Sequence, residues 1–199
     1  MASVIDVANR ALTKLGSARI TSLDDDVKAA RSINSCFYDI LDAELRKNRW
    51  SFSMKRDSLA ELSQAPAFGF EHQYQLPADF LRLDMLDDRY PDVVMDNYIN
   101  YETAEYAIEN GKILANIAAP LKIRYVYQCY DPNLWDALFR EALACKIAWE
   151  ICEDLTQSND KRQLAIKEYQ IAISDAVRAN AIERPPQAVP DDQLIISRI

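Results

Sequence analysis

The stretch Tyr106-Ala107-Ile108-Glu109-Asn110-Gly111-Lys112-Ile113-Leu114 decides how the middle of the chain folds. Its Asn-Gly dipeptide suits the two positive-φ positions of a type I′ turn, so the stretch predicts a β-hairpin. Further strands are predicted over 50–54 and 81–85, where apolar and polar residues alternate, and over 98–101 and 121–127. Residues 50–130 are therefore expected to form a small, mostly antiparallel β region.

Helical periodicity is found on both sides of this β region. Four helices are predicted, over about residues 4–15, 25–48, 131–155 and 160–181. Ser3 and Asp6 form a capping pair for the first helix, and Gly16 is its expected stop. Asp131 and Pro132 are expected to be the N-cap and the first residue of the third helix.

The element order predicts an α+β chain that is mainly α-helical. Residues 1–49 and 131–181 are expected to form a four-helix bundle, with residues 50–130 inserted as a small antiparallel β region. Residues 182–199 are expected to form an extended C-terminal arm, because the prolines at 185, 186 and 190 forbid a regular helix.

Glycine and histidine contents exclude several enzyme classes. Only three of the 199 residues are glycines, so neither a P-loop nor a dinucleotide-binding fingerprint can be built. The one histidine, His72, excludes sites with several histidine ligands and disfavours a histidine-centred triad. A formal net charge of −8 disfavours wrapping of nucleic acid through phosphate neutralisation. We therefore predict no catalytic residue, no cofactor and no metal ligand.

Three features are compatible with a catalytic or metal-binding site. His72 lies in a polar-aromatic stretch, where a hydrogen-bonded or solvated loop histidine is the simpler interpretation. The acidic runs 24–26 and 87–88 lack the ligand spacing and central glycine of an EF-hand loop, and helix capping with solvation explains them. The 31 carboxylates allow an acid–base pair without a sequence signature. No membrane partner is expected, because no stretch approaches 18 uninterrupted apolar residues.

Several short motifs follow one another along the chain. They are A-L-x-x-L-G at 11–16, I-x-S-L at 20–23, W-x-F at 50–52, Y-x-L-P-x-D-F-L-R-L at 74–83 and Y-x-x-x-D-P-x-x-W-D-x-x-F at 127–139. In this order and spacing, over about residues 5–180, the chain resembles the tail tubular protein A family. Members of that family are the head-to-tail adaptors, or tail accessory factors, of short-tailed bacteriophages.

This resemblance implies a structural virion protein, assembled in the host cytoplasm and located at the head–tail junction. Twelve copies would form a homo-oligomeric ring between the portal protein and the tail nozzle or hub. Genomic DNA would leave through the lumen without specific binding. A charge of −8 per chain suits an acidic inner wall along which DNA slides. The resemblance supplies no catalytic motif and no cofactor.

Aromatic residues are concentrated in and beside the β region, beyond what so small a sheet buries alone. Protein interfaces are enriched in such side chains. The predicted contacts to neighbouring subunits or to the tail component are Tyr98, Tyr101, Tyr106 and Tyr125.

The C-terminal arm has an apolar end, whereas a disordered tail is expected to be polar. Its 18 residues reach about 60 Å when extended, so it can leave its own subunit. We predict that the arm docks on the portal protein through Leu194, Ile195, Ile196 and Ile199.

Two other functions are compatible with the sequence. Some members of the family have been ascribed a cell-wall hydrolase activity, so one alternative is a phage tail-associated peptidoglycan hydrolase, although no residue pattern here matches that activity. The other alternative is a helical scaffold or regulatory protein unrelated to virions. The mass of the assembled particle separates these functions from a ring.

Overall fold

A computed structural model describes residues 2–87 and 106–183. The described helices are α1 (Val4–Leu15), α2 (Lys28–Asn34), α3 (Phe37–Lys47), α4 (Ala137–Thr156) and α5 (Asn159–Ile182). The described strands are β1 (Met54–Leu59), β2 (His72–Gln75), β3 (Phe80–Leu86), β4 (Tyr106–Glu109), β5 (Lys112–Ala115) and β6 (Leu121–Tyr127). A short 3-10 turn, Ser51–Ser53, leads from α3 into β1.

The six strands form two three-stranded antiparallel sheets, with strand orders β1-β6-β3 and β2-β5-β4. Inward side chains of both sheets meet in one apolar cluster, which includes Tyr74, Ile113 and Tyr125. Alternation of side chains along each strand puts these residues inside. The β region is therefore a small sandwich with a core of its own.

The helices surround a second, larger core. Helix α4 lies at its centre and buries side chains along most of its length, among them Phe139 and Ile147. Leu12 of α1 and Leu41 of α3 pack into the same core. Helix α5 returns antiparallel to α4 after a two-residue connection, as the short loop predicts.

The predicted fold class, a mainly α four-helix bundle with a small β region, is wrong. The described residues form a mixed α and β structure, in which two sheets have their own core beside the helical one. Each strand has its own local sequence pattern, but no local pattern shows that two sheets pack together. The burial between two sheets comes only from their tertiary packing.

The predicted second helix is shorter and broken. The Asp25 carboxylate accepts hydrogen bonds from the backbone N–H groups of Thr21 (2.7 Å) and Ser22 (3.0 Å), which holds this segment in a turn. Helix α2 therefore begins only at Lys28. The helix is interrupted again at Cys36, whose φ of −129° lies outside the helical region, and α3 follows.

The third predicted helix begins later than expected. Asp136, not Asp131, is the N-cap of α4, and its side chain accepts from the N–H groups of Leu138 and Phe139. The Asp131 carboxylate instead accepts from the Asn133 N–H at 3.0 Å. Trp135 is buried in the loop before α4, where its Nε1–H donates to the Cys129 carbonyl at 2.8 Å.

Predictions from local signals are confirmed. Ser3 and Asp6 form the capping box of α1, and Gly16 ends that helix with a φ of 72°. Asn110 and Gly111, with φ of 47° and 71°, connect β4 and β5 as a hairpin.

The predicted strand over 50–54 is wrong over most of its length, which forms the 3-10 turn. The predicted strand over 98–101 and the arm beyond residue 183 lie outside the described residues.

Candidate interaction surfaces

A buried carboxylate joins the helices to the sandwich. Asp84 of β3 is 1% exposed, and Arg49, which follows α3, places its Nε 2.6 Å from Asp84 Oδ1. Arg124 of β6 donates from Nε to Asp84 Oδ2 at 2.6 Å. Two guanidinium groups therefore share one carboxylate at the junction of the two cores, which makes this cluster a structural ion-pair centre.

A second buried carboxylate fixes helix α5 to helix α3. Glu44 is 1% exposed and accepts from the Tyr169 hydroxyl at 2.9 Å and from Lys47 Nζ at 2.6 Å. Burial, together with the Glu44 carboxylate, raises the pKa of the Tyr169 phenol. This cluster links two helices through side chains alone.

His72 does not lie beside a nucleophile in the part of the chain that the structure describes. Its Nδ1 is 2.8 Å from Glu61 Oε1, and its Nε2 is 3.9 Å from Glu71 Oε2. Both neighbours are carboxylates on the rim of the sandwich. Across residues 2–87 and 106–183, no group of three or more His, Cys, Asp or Glu side chains is arranged to hold a metal ion.

Replacing His72 with alanine is expected to leave assembly nearly unchanged, because the ion-pair distances from its ring join it to two surface carboxylates, Glu61 and Glu71. The free energy of unfolding should change by less than about 1 kcal/mol. Particle mass and thermal melting of the variant check this. A folded variant that loses a wild-type peptidoglycan-cleaving activity would favour the hydrolase alternative instead.

The predicted interface tyrosines have different environments. Tyr125 is fully buried in the sandwich core, and its hydroxyl donates to Asp79 Oδ1 at 2.9 Å. Burial and this carboxylate raise the pKa of Tyr125 to about 12. In this conformation Tyr125 therefore has no ring surface for a neighbour, whereas Tyr106 is half-buried. The other predicted contacts, Tyr98, Tyr101, Leu194, Ile195, Ile196 and Ile199, lie outside the described residues.

Helix α5 has an apolar outer face that the sequence analysis did not identify. Leu164 and Ile171 are 57% and 65% exposed, and a spacing of seven residues puts them on one side of the helix. Leu138 of α4 is 41% exposed and lines a groove of about 270 Å³ together with Ile171. We call Leu138, Leu164 and Ile171 the α5 apolar face. The sequence signal for this face is the i, i+7 spacing of Leu164 and Ile171 on the otherwise polar side of the predicted helix.

A second exposed surface combines aromatic rings with carboxylates. Tyr38 of α3 and Tyr130 are 44% and 42% exposed, and their ring centroids are 5.2 Å apart. The Tyr130 hydroxyl donates to Asp42 Oδ2 at 3.0 Å, and burial with this carboxylate raises the pKa of Tyr130 to about 12. Asp39 is exposed close to Tyr130, and the exposed Asp131 follows Tyr130 in the chain. We call these five residues the acidic aromatic face.

Neither a protein-family model nor a curated protein matches the chain. None of the helices in residues 2–87 and 106–183 combines the length and the apolar character needed to cross a bilayer.

Proposed function

We propose that the chain is a structural virion protein of a short-tailed bacteriophage. It forms an oligomeric ring, a head-to-tail adaptor, between the portal protein and the tail nozzle or hub. The order of motifs along the chain supports this function, and the observation that contributes most is the α5 apolar face. Large apolar side chains at 41–65% exposure are typical of a surface that a partner covers.

The free energy of burying these side chains favours assembly over a free monomer. Covering a leucine or isoleucine side chain contributes roughly 1.5–3 kcal/mol when the side chain becomes fully buried. Leu164 and Ile171 lie on a regular helix within a fixed hairpin, so little further ordering opposes their burial. A ring in which each subunit covers this face of its neighbour uses this free energy in every contact.

The charge of the chain supports passage of DNA without specific binding. With −8 per chain, twelve copies have a formal charge of roughly −96. Carboxylates on the lumen wall would repel phosphates, and DNA would slide without adhering. The portal protein lies above the ring and the nozzle or hub below it in this arrangement, which places the chain in the tail at the head–tail junction.

The mass of the purified particle tests the proposal. A chain of 22.7 kDa gives a twelve-subunit ring of roughly 270 kDa. Light scattering and negative-stain images, with the chain alone and mixed with its portal protein, measure this mass and the ring shape. A chain that remains monomeric and does not bind the portal protein contradicts the adaptor function. A folded monomer that cleaves peptidoglycan supports the hydrolase alternative.

Deleting residues 185–199 is expected to weaken binding to the portal protein by about 100-fold or more, which equals about 2.7 kcal/mol. The deletion removes Leu194, Ile195, Ile196 and Ile199, whose burial is the expected source of affinity. Every described helix and strand ends before residue 185, so the truncated chain should fold. Surface plasmon resonance against immobilised portal protein measures the effect.

A matched control for this deletion keeps the length of the arm and its apolar residues. The variant Asp191→Asn/Asp192→Asn changes charge alone and should bind the portal protein within about threefold of wild type. Undiminished binding by the truncated chain would show that the arm does not dock there.

A further inference from the structure

One face of the sheet β1-β6-β3 points away from the sandwich core and holds a cluster of cations. Arg56 of β1 lies directly opposite Arg124 of β6 in the antiparallel register. Lys122 is two residues from Arg124 on β6, so its side chain is on the same face. These three cations, with Asp57, line an open groove of about 420 Å³. We call Arg56, Lys122 and Arg124 the basic groove.

The basic groove lacks sufficient anionic compensation within the described part of the chain. Like charges directly opposite one another across a strand pair are destabilising. Arg124 is compensated by Asp84, but Arg56 and Lys122 are exposed and have no ion pair or side-chain hydrogen bond among the described residues. An excess of positive charge therefore lies on the surface of a chain whose net charge is −8.

The acidic aromatic face has the complementary chemistry. No Lys or Arg in residues 2–87 or 106–183 forms an ion pair with Asp39, Asp42 or Asp131. Guanidinium groups bind carboxylates through two parallel hydrogen bonds and also stack on tyrosine rings. Tyr38 and Tyr130 present such rings beside the carboxylates.

We propose that the basic groove of one copy binds the acidic aromatic face of a second copy. This inference rests on the proposed ring and adds a pair of charged surfaces to the contact that covers the α5 apolar face. The two surfaces are different, so the contact is head-to-tail, which is the kind of interface that builds a ring. Arg56 and Lys122 pair with carboxylates of the neighbouring acidic aromatic face, and the tyrosine rings of that face are covered.

The charges that line the groove favour a protein partner over DNA. Proteins that bind duplex DNA through its backbone neutralise about six to ten phosphates, whereas the groove offers two cations without an ion pair. Asp57 also lines the groove and would face the phosphates. The net charge of −8 repels a polyanion at long range but does not oppose a local contact with the exposed carboxylates of Asp39 and Asp131.

Charge reversal in the full chain tests the contact. The variant Arg56→Glu/Lys122→Glu is expected to raise the dissociation constant of self-association about 100-fold. The variant Asp39→Lys/Asp131→Lys should have a similar effect. Combining all four substitutions in one chain restores opposite charges and should return self-association to within about tenfold of wild type. Sedimentation equilibrium measures the association, and circular dichroism checks the fold of each variant.

The control Arg19→Glu/Arg31→Glu makes the same charge change at two exposed positions outside the basic groove, the acidic aromatic face and the α5 apolar face, and it should assemble like wild type. Raising the ionic strength to about 1 M, where the screening length is about 3 Å, should weaken the wild-type contact. If the acidic-face variant does not fold, the basic-groove variant and its control decide the result.

Several outcomes would overturn the contact. The contact is wrong if both charge-reversal variants still form the ring, or if the wild-type chain stays monomeric at every concentration. It is also wrong if the control variant loses assembly. A basic-groove variant that assembles normally but no longer binds a labelled DNA duplex would identify DNA as the partner instead. The adaptor function is judged separately, by binding of the wild-type chain to the portal protein.

Discussion

Replacing Asp84 with asparagine is expected to lower the free energy of unfolding by about 3–5 kcal/mol. Asparagine has nearly the same shape but no charge, so Arg49 and Arg124 would remain together at the junction of the two cores without a carboxylate between them. Breaking a buried ion pair from one side costs more than the pair itself contributes, because the remaining charge stays desolvated. Urea unfolding followed by circular dichroism measures the change.

The matched control is Asp57→Asn on strand β1 of the same sheet. Asp57 is exposed and accepts a hydrogen bond only from the adjacent Ser58 N–H, so its loss should change the free energy by about 0.5 kcal/mol or less. A loss below about 1 kcal/mol in Asp84→Asn would mean that the two guanidinium groups find water or other acceptors, and that the centre does not hold the junction.

Replacing Trp50 with alanine is expected to cost about 3–5 kcal/mol of stability. Trp50 is fully buried where α3 ends, and its ring centroid lies 4.9 Å from that of Phe139. Its Nε1–H donates to the Glu44 carbonyl at 3.0 Å. Alanine would leave a cavity in the helical core and remove the donor that this buried carbonyl uses.

Thermal and urea unfolding measure the effect of Trp50→Ala. Trp50→Phe separates its two causes, because phenylalanine keeps most of the volume and loses only the N–H donor; it should cost about half as much or less. Phe68→Ala is the surface control, since Phe68 is 89% exposed and its loss should be nearly neutral. Equal losses in the alanine and phenylalanine variants would contradict the cavity explanation.

The part of the fold that depends on neighbouring residues was predictable from the sequence. The capping box of Ser3 and Asp6 needs only four residues, and Asn110-Gly111 determines its own turn. The two sheets were not predictable to the same degree, because β6 pairs with β1 and β3, which are distant in the chain. Nothing local specifies such pairings, and a sandwich core exists only once both sheets have formed.

The error in the second helix has a related cause. Its apolar stripe is correct, since Ile33 and Leu41 are both buried, but the stripe does not show where the backbone leaves the helix. Tertiary contacts hold α2 separately: Lys28 Nζ lies 2.9 Å from Asp154 Oδ1 at the end of α4. A continuous helix from 25 to 48 would place these residues differently against α4.

The candidate surfaces also differ in how far the sequence alone predicts them. Leu164 and Ile171 are visible in the sequence as apolar residues on the polar side of a helix. The acidic aromatic face joins α3 to the segment before α4, and the basic groove joins β1 to β6. Both combine residues that are more than 60 positions apart, so only the tertiary structure brings them together.

Strand β6 also determines how the chain responds to mechanical load. Its neighbouring residues Tyr125 and Val126 point into different cores, the first into the sandwich and the second into the helices. Part of any tension applied to the sandwich therefore reaches the helices through the backbone of this strand, with β1 and β3 hydrogen-bonded along its two edges. Six residue pairs join β6 to β1. A pull along β6 loads these pairs together in shear, whereas a pull across the sheet breaks them one after another, so the joint is strongest along the strand.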